Sequence, residues 1–197
     1  MPNCIPSFAT DNFSGVFARS HAAPTSSPWT ATLRQYWQLV KNDLGDFSVF
    51  LENCYAVHSL QYQSLEHHFY VFAIRENDQW LSWEETKFYS SMLDLPVVPE
   101  MLLENTPHKK EDYEKNILQM AGNPGAFNPT DVSTGQAATM EGIVSRNTAS
   151  YTKSEFCNNV FKYVRKGHVK TDEHWTRNWK RAPLKGEGGH YVENFRK

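Results

Sequence analysis

The order of its two hydrophobic periods restricts this chain most. Helix-spaced and strand-spaced stretches mix along the sequence without the strand–helix–strand rhythm of a parallel α/β fold. Two strand-like runs stand at the centre: Phe47 to Val57, and the more apolar HHFYVFAI from His67 to Ile74. A helix precedes them. Ser27 can cap it, Pro28 suits its first position, and Trp29, Leu33, Tyr36, Trp37, Val40 and Leu44 recur at helical spacing before Gly45 ends it. Ser82 stands three residues before Glu85, a capping box that starts a helix to about Leu93. Met1 to Ser20 reads as a broken strand hairpin, Pro96 to Pro99 as a short extended piece, and Lys109 to Met120 as a polar amphipathic helix. Gly122 to Thr139, rich in Gly, Pro and small polar residues, reads as a mobile loop. The class expected is α+β with a largely antiparallel sheet core, and no glycine-rich phosphate loop is present.

The 197 residues fit one domain with a real core, and twelve Phe, nine Tyr and six Trp suit a globular protein with stacking surfaces. Charge is uneven. Residues 161–197 carry ten Lys/Arg against four Asp/Glu, net +6; the preceding 160 carry ten against eighteen, net −8. A basic end on an acidic body points to an anionic partner such as nucleic acid, and equally describes a solvated tail. Cys4, Cys54 and Cys157 show no CxxC spacing, so neither a disulfide framework nor a zinc site is indicated. His58, His67, His68, His168 and His174 lack metal-ligand spacing as well. No apolar run reaches the length of a membrane span, and a reducing cytoplasmic setting is the default expectation.

The most specific chemistry lies between Glu141 and Trp175. Glu141 heads the strand-like EGIVSR segment, and Lys162 lies on a second strand-like piece, Phe161 to Arg165. A carboxylate beginning one strand and an ammonium on the next can face a triphosphate together, one holding a divalent cation and the other neutralising phosphate oxygens. The same spacing also describes two half-buried edge strands with solvated charges.

Five stretches in order carry a resemblance: GVFARSHAAPTSSPW (15–29), LENCYAVHSLQY (51–62), HHFYVFAI (67–74), EGIVSR (141–146) and KYVRKGHVKTDEHW (162–175). Together they resemble the ATP-dependent RNA ligases, within the covalent nucleotidyltransferase superfamily of DNA ligases and capping enzymes. The resemblance implies a nucleotidyltransferase domain (ATP-grasp-like) of antiparallel sheets flanked by helices, covering residues 1–175, with a basic tail at 176–197. It implies ATP and Mg²⁺ as cofactors and RNA ends as partners, with no membrane association. It also implies three steps: a lysine takes AMP from ATP, the AMP moves to a 5′-phosphate end, and a 3′-hydroxyl displaces it. By the same resemblance Arg19 reaches phosphate or the RNA end, with His21 orienting it. Glu52 accepts from the ribose and Phe72 stacks on adenine, with Tyr70 as second candidate. Glu141 is the metal-side acid, Lys162 sits over the α-phosphate, and Arg165, Lys166 and His168 assist toward phosphate or RNA. Arg19, Glu52 and Phe72 read equally as an exposed arginine, a solvent-facing acid and a core aromatic.

The chain departs from the family at the nucleophile. The family's Lys-x-Asp-Gly element belongs upstream of the RSH block, yet the first lysine here is Lys41, inside the first helix. Val164 also stands where related ligases carry a second lysine, and Leu51 where a glycine often precedes the matching acid. The expectation is an N-terminally truncated ligase domain, unable to adenylylate itself, with an unpaired sheet edge that favours oligomerisation. The alternatives are a non-catalytic RNA-binding module derived from a ligase and a chain that carries out only the last step, sealing RNA that arrives already adenylylated.

Overall fold

The computed structural model describes residues 7–9, 15–18, 23–101, 103, 107, 109–166 and 179–187. Its frame is a six-stranded sheet in the order β2-β1-β3-β5-β6-β9, formed by Ser7–Ala9 (β1), Gly15–Phe17 (β2), Phe47–Asn53 (β3), Phe69–Glu76 (β5), Gln79–Trp80 (β6) and Tyr151–Thr152 (β9). Every neighbouring pair is antiparallel. Two small antiparallel sheets complete the set: Leu60–Tyr62 (β4) with Pro129–Asp131 (β7), and Gly142–Arg146 (β8) with Val160–Val164 (β10). The α+β class with antiparallel sheets is what the mixed periods predicted.

Two helices close one face of the large sheet. Leu33, Tyr36, Trp37 and Val40 of Ala31–Val40 (α1) and Tyr89 of Trp83–Met92 (α2) pack on Val49, Leu51, Phe69, Val71 and Ile74. Alternation along the strands sends Phe50, Glu52, Tyr70 and Arg75 to the opposite face. A break in this alternation shapes that face. Phe50 pairs with Ala73 and Leu51 with Val71, so the register passes over Phe72, a β-bulge that puts Phe72 and Ala73 on the same side.

The second face is covered in two places. Val160, Trp80 and Tyr151 pack with Ala73, Phe50 and Phe72 at one end. At the other, Leu65, Tyr70 and Ala182 form a separate cluster. Behind the β8–β10 pair, Ile143 and Tyr163 pack on Ile117 and Ala121 of Lys110–Ala121 (α3).

Local expectations hold in part. The Ser82–Glu85 capping box forms with both reciprocal bonds. Ser82→Ala is expected to lower stability by about 1 kcal/mol, seen as a fall in denaturant midpoint at constant m-value; an unchanged midpoint contradicts the box. The first helix opens as a 3-10 turn at Pro28–Thr30, where the Ser27 carbonyl, rather than its hydroxyl, accepts from Thr30 and Arg34. That helix ends at Val40, because Gly45, at φ +52°, belongs to the turn entering β3. The strand expected to run to Val57 stops at Asn53, whose side chain accepts from the Tyr55 amide and donates to the Trp29 carbonyl. The expected loop 122–139 contains β7, and the Asp131 carboxylate accepts from the Ser133 and Thr134 amides to close its turn.

Residues 179–187, read as tail, return across the body. The Ala182 amide donates to Tyr55, the Val57 amide to Lys180 and the Lys185 amide to Leu65, and Ala182 is buried.

Candidate functional site

The second face of the large sheet carries Glu52 and Phe72, and the β8–β10 pair, which packs on that face through Val160, carries Glu141 and Lys162. Glu52 pairs across the ladder with Tyr70, so both leave the same face. Phe72 lies one step along β5, half-buried, with its ring 6.3 Å from that of Phe50. The two aromatic candidates now separate. Tyr70 is buried at 4 % exposure and its hydroxyl accepts from the Glu66 and His67 amides, which fixes it as a floor residue. Phe72 is less buried and lacks a polar group that would tie it to the floor.

Lys162 enters from the facing sheet. It pairs with Val144 and shares a strand face with Val160, which packs against the large sheet, so Lys162 is turned toward that sheet. It is exposed and makes no ion pair among the described residues. Glu141 sits at the head of β8. Its carbonyl accepts from the Arg165 amide at 2.9 Å, which continues the ladder, and its Oε1 accepts from Ser59 Oγ at 3.3 Å.

Two neutral groups feel both Glu52 and Glu141. Burial, then Glu52 and Glu141, push the Cys54 thiol pKa far up. Burial, Cys54, Glu141 and Glu52 do the same to the Tyr62 phenol. Burial is the main cause in both, and both neighbours stay protonated. Among the described residues no group of three His, Cys, Asp or Glu could hold a metal, so a structural zinc-type cage is absent from that part. A hard cation that keeps most of its water needs only one or two carboxylates, and Glu141 at the head of β8 is of the right chemistry for one.

His58 lies close by in sequence, and burial lowers its pKa from 6.5 to about 4. His68 moves the same way, with burial again the main cause. Between pH 6.5 and about 4 the unfolded chain binds the proton that folded His58 refuses, so stability falls as pH drops through that window. Thermal midpoints are expected to decline over this range and His58→Gln to flatten part of the decline; identical profiles would refute it.

Not every candidate joins this group. Arg165 Nη1 donates to Thr139 Oγ1 at 2.6 Å, and Arg165 and Lys166 line an open groove with Asp131, Thr134, Gln136 and Thr139. Arg19, His21, His168 and His174 lie outside the described residues. Sequence reasoning missed Arg146, whose guanidinium joins the two sheets; its only sequence signal was its place at the end of EGIVSR. No described helix is long and apolar enough to cross a membrane.

Neither the curated proteins nor the solved structures compared with the chain give a match. The family comparison does. The model described as RNA ligase matches residues 3–164, which takes in β1 through the end of β10 and so both elements that carry these candidates. On that match, over most of its length, the chain belongs to the RNA ligase family.

Proposed function

We propose that this chain is a nucleotidyltransferase-type domain that seals RNA ends, and that the cleft between β3–β5 and β8–β10 holds an adenylyl group. The observation that carries this reading is the placement of Glu52 and Phe72 on the second face of the large sheet, onto which β10 packs through Val160, on the same strand face as Lys162 and beside the strand headed by Glu141. Phe72 supplies an apolar face for a base, and Glu52, an acceptor-only group, suits ribose hydroxyls. Lys162 neutralises phosphate oxygens as a point charge. Glu141 would hold Mg²⁺, which when bound supplies charge neutralisation to the phosphates.

The step assigned to this chain is the last one. A 3′-hydroxyl oxygen attacks the 5′-phosphorus of an adenylylated RNA end, a new phosphodiester P–O bond forms, the pyrophosphate P–O bond to AMP breaks, and the hydroxyl proton leaves to solvent. That step needs positioning and charge, not a lysine nucleophile. Lys41, the first lysine of the sequence, lies just past α1, whose apolar stripe packs on the opposite face of the sheet from the cleft. Self-adenylylation by these 197 residues is therefore not part of the proposal.

Incubation with α-labelled ATP and Mg²⁺, followed by denaturation, is expected to leave no label on the protein. Pre-adenylylated RNA with an acceptor strand is expected to be sealed. Retained label would overturn the last-step assignment. No sealing, combined with RNA binding that weakens steeply with salt, would replace it with a binding module that uses the basic residues beyond 160.

A further inference from the structure

Arg146 ends β8 opposite Val160, but its guanidinium is engaged outside its own sheet. Nη1 donates to the Phe72 carbonyl at 2.6 Å and Nη2 to the Leu81 carbonyl at 3.2 Å. Its Cζ lies 5.4 Å from the centre of the Trp83 ring. Three contacts thus tie β8 to the bulge of β5 and to the junction between β6 and α2. No carboxylate pairs with this cation among the described residues, its Nε lacks a partner, and burial depresses its pKa.

Joining two sheets with a largely desolvated, unpaired cation is unfavourable compared with an apolar contact of the same size. What the guanidinium provides instead is direction. Its planar fork fixes two acceptors at once, and the aromatic face beneath holds the plane. One of those acceptors belongs to Phe72, the residue that the β3–β5 register passes over. Arg146 therefore grips the part of β5 that the ladder leaves unfixed. It grips it from the strand that begins next to Glu141 and pairs with the strand of Lys162.

We infer that Arg146 is a positioning residue for the proposed nucleotide site: it sets the Phe72 ring relative to Lys162 and Glu141, so that base and phosphate contacts share one frame. The inference rests on the reading of the cleft as an adenylyl site. A cross-brace with no such role would affect folding alone.

The experiment compares AMP affinity by equilibrium dialysis, well below the melting temperature, in the unsubstituted chain, Arg146→Lys and Tyr36→Phe. Lysine keeps the charge but cannot bridge both carbonyls. Tyr36→Phe removes the hydroxyl bond to the Leu93 carbonyl on the helix-covered side and serves as a control for general destabilisation. The expected result is AMP binding about tenfold weaker in Arg146→Lys, the size of one lost charge-assisted hydrogen bond, and unchanged in Tyr36→Phe. Should the lysine variant not fold, Arg146→Gln, neutral and able to reach one carbonyl, is read in the same way. Unchanged AMP affinity in the Arg146 variant, or equal weakening in Tyr36→Phe, overturns the positioning role and leaves the nucleotide reading standing. No AMP binding by the unsubstituted chain overturns the nucleotide reading, and the positioning role with it.

Discussion

Gly142→Ala is expected to open the β8–β10 ladder at the end next to Glu141. A Cβ placed on Gly142 would stand 2.2 Å from the Tyr163 carbonyl oxygen and 3.1 Å from Val164 Cα. Both are backbone atoms of the paired strand, so no side chain can swing aside to relieve the clash. Gly142 faces Val164 in the register, and the next bond along runs from the Arg165 amide to the Glu141 carbonyl. Separating the strands there moves Glu141 away from Lys162 at the same time as it unpacks Ile143 from α3. The expected loss is about 2–3 kcal/mol of stability, read from the denaturant midpoint, together with loss of AMP binding. Wild-type stability in Gly142→Ala would show that the strands approach less closely than described.

Lys162→Ala and Glu141→Gln are expected to act the opposite way, sparing the fold and removing the chemistry. Lys162 is exposed and unpaired among the described residues, and glutamine in place of Glu141 can still accept from Ser59. Melting should therefore move little, within about 0.5 kcal/mol. Sealing of pre-adenylylated RNA should fall about 10²–10³-fold in each, the usual effect of removing one electrostatic contact to the reacting group. Sealing at the unsubstituted rate in both would remove the cleft from the reaction. A parallel loss of stability and sealing would assign these residues to the fold instead.

Legibility from sequence followed the range of the forces involved. The capping box at Ser82 and the α3 helix are local, held by bonds three or four residues apart, and both were readable. The three-residue strands β4 and β7 were not, because each exists only through its distant partner, Leu60 against Asp131 and Tyr62 against Pro129. The same holds for the bulge at Phe72, which is a property of two strands in register and not of either alone. At the candidate site, Glu52, Phe72, Glu141 and Lys162 were named through the family resemblance; the topology puts the first two on the second face of the large sheet and the other two on the strand pair that packs against it. Choosing between Tyr70 and Phe72 needed the fold, since what separates them is the hydrogen bonding of the Tyr70 hydroxyl. Arg146 could not be foreseen, because its acceptors are backbone carbonyls with no sequence signature.

The segment 179–187 has a consequence for how the molecule comes into being. His68 bonds the Ala182 carbonyl, 114 residues further on, and Ala182 fills the cluster beneath Tyr70. During synthesis the strands that bear Glu52 and Phe72 emerge first, with an apolar patch at Leu65 and Tyr70 that nothing yet covers. Only when residues 179–187 have left the ribosome can the patch be sealed, at the entropic expense of closing a very long loop. Until then the nascent domain carries an unfinished floor, in the state where a chaperone would find it.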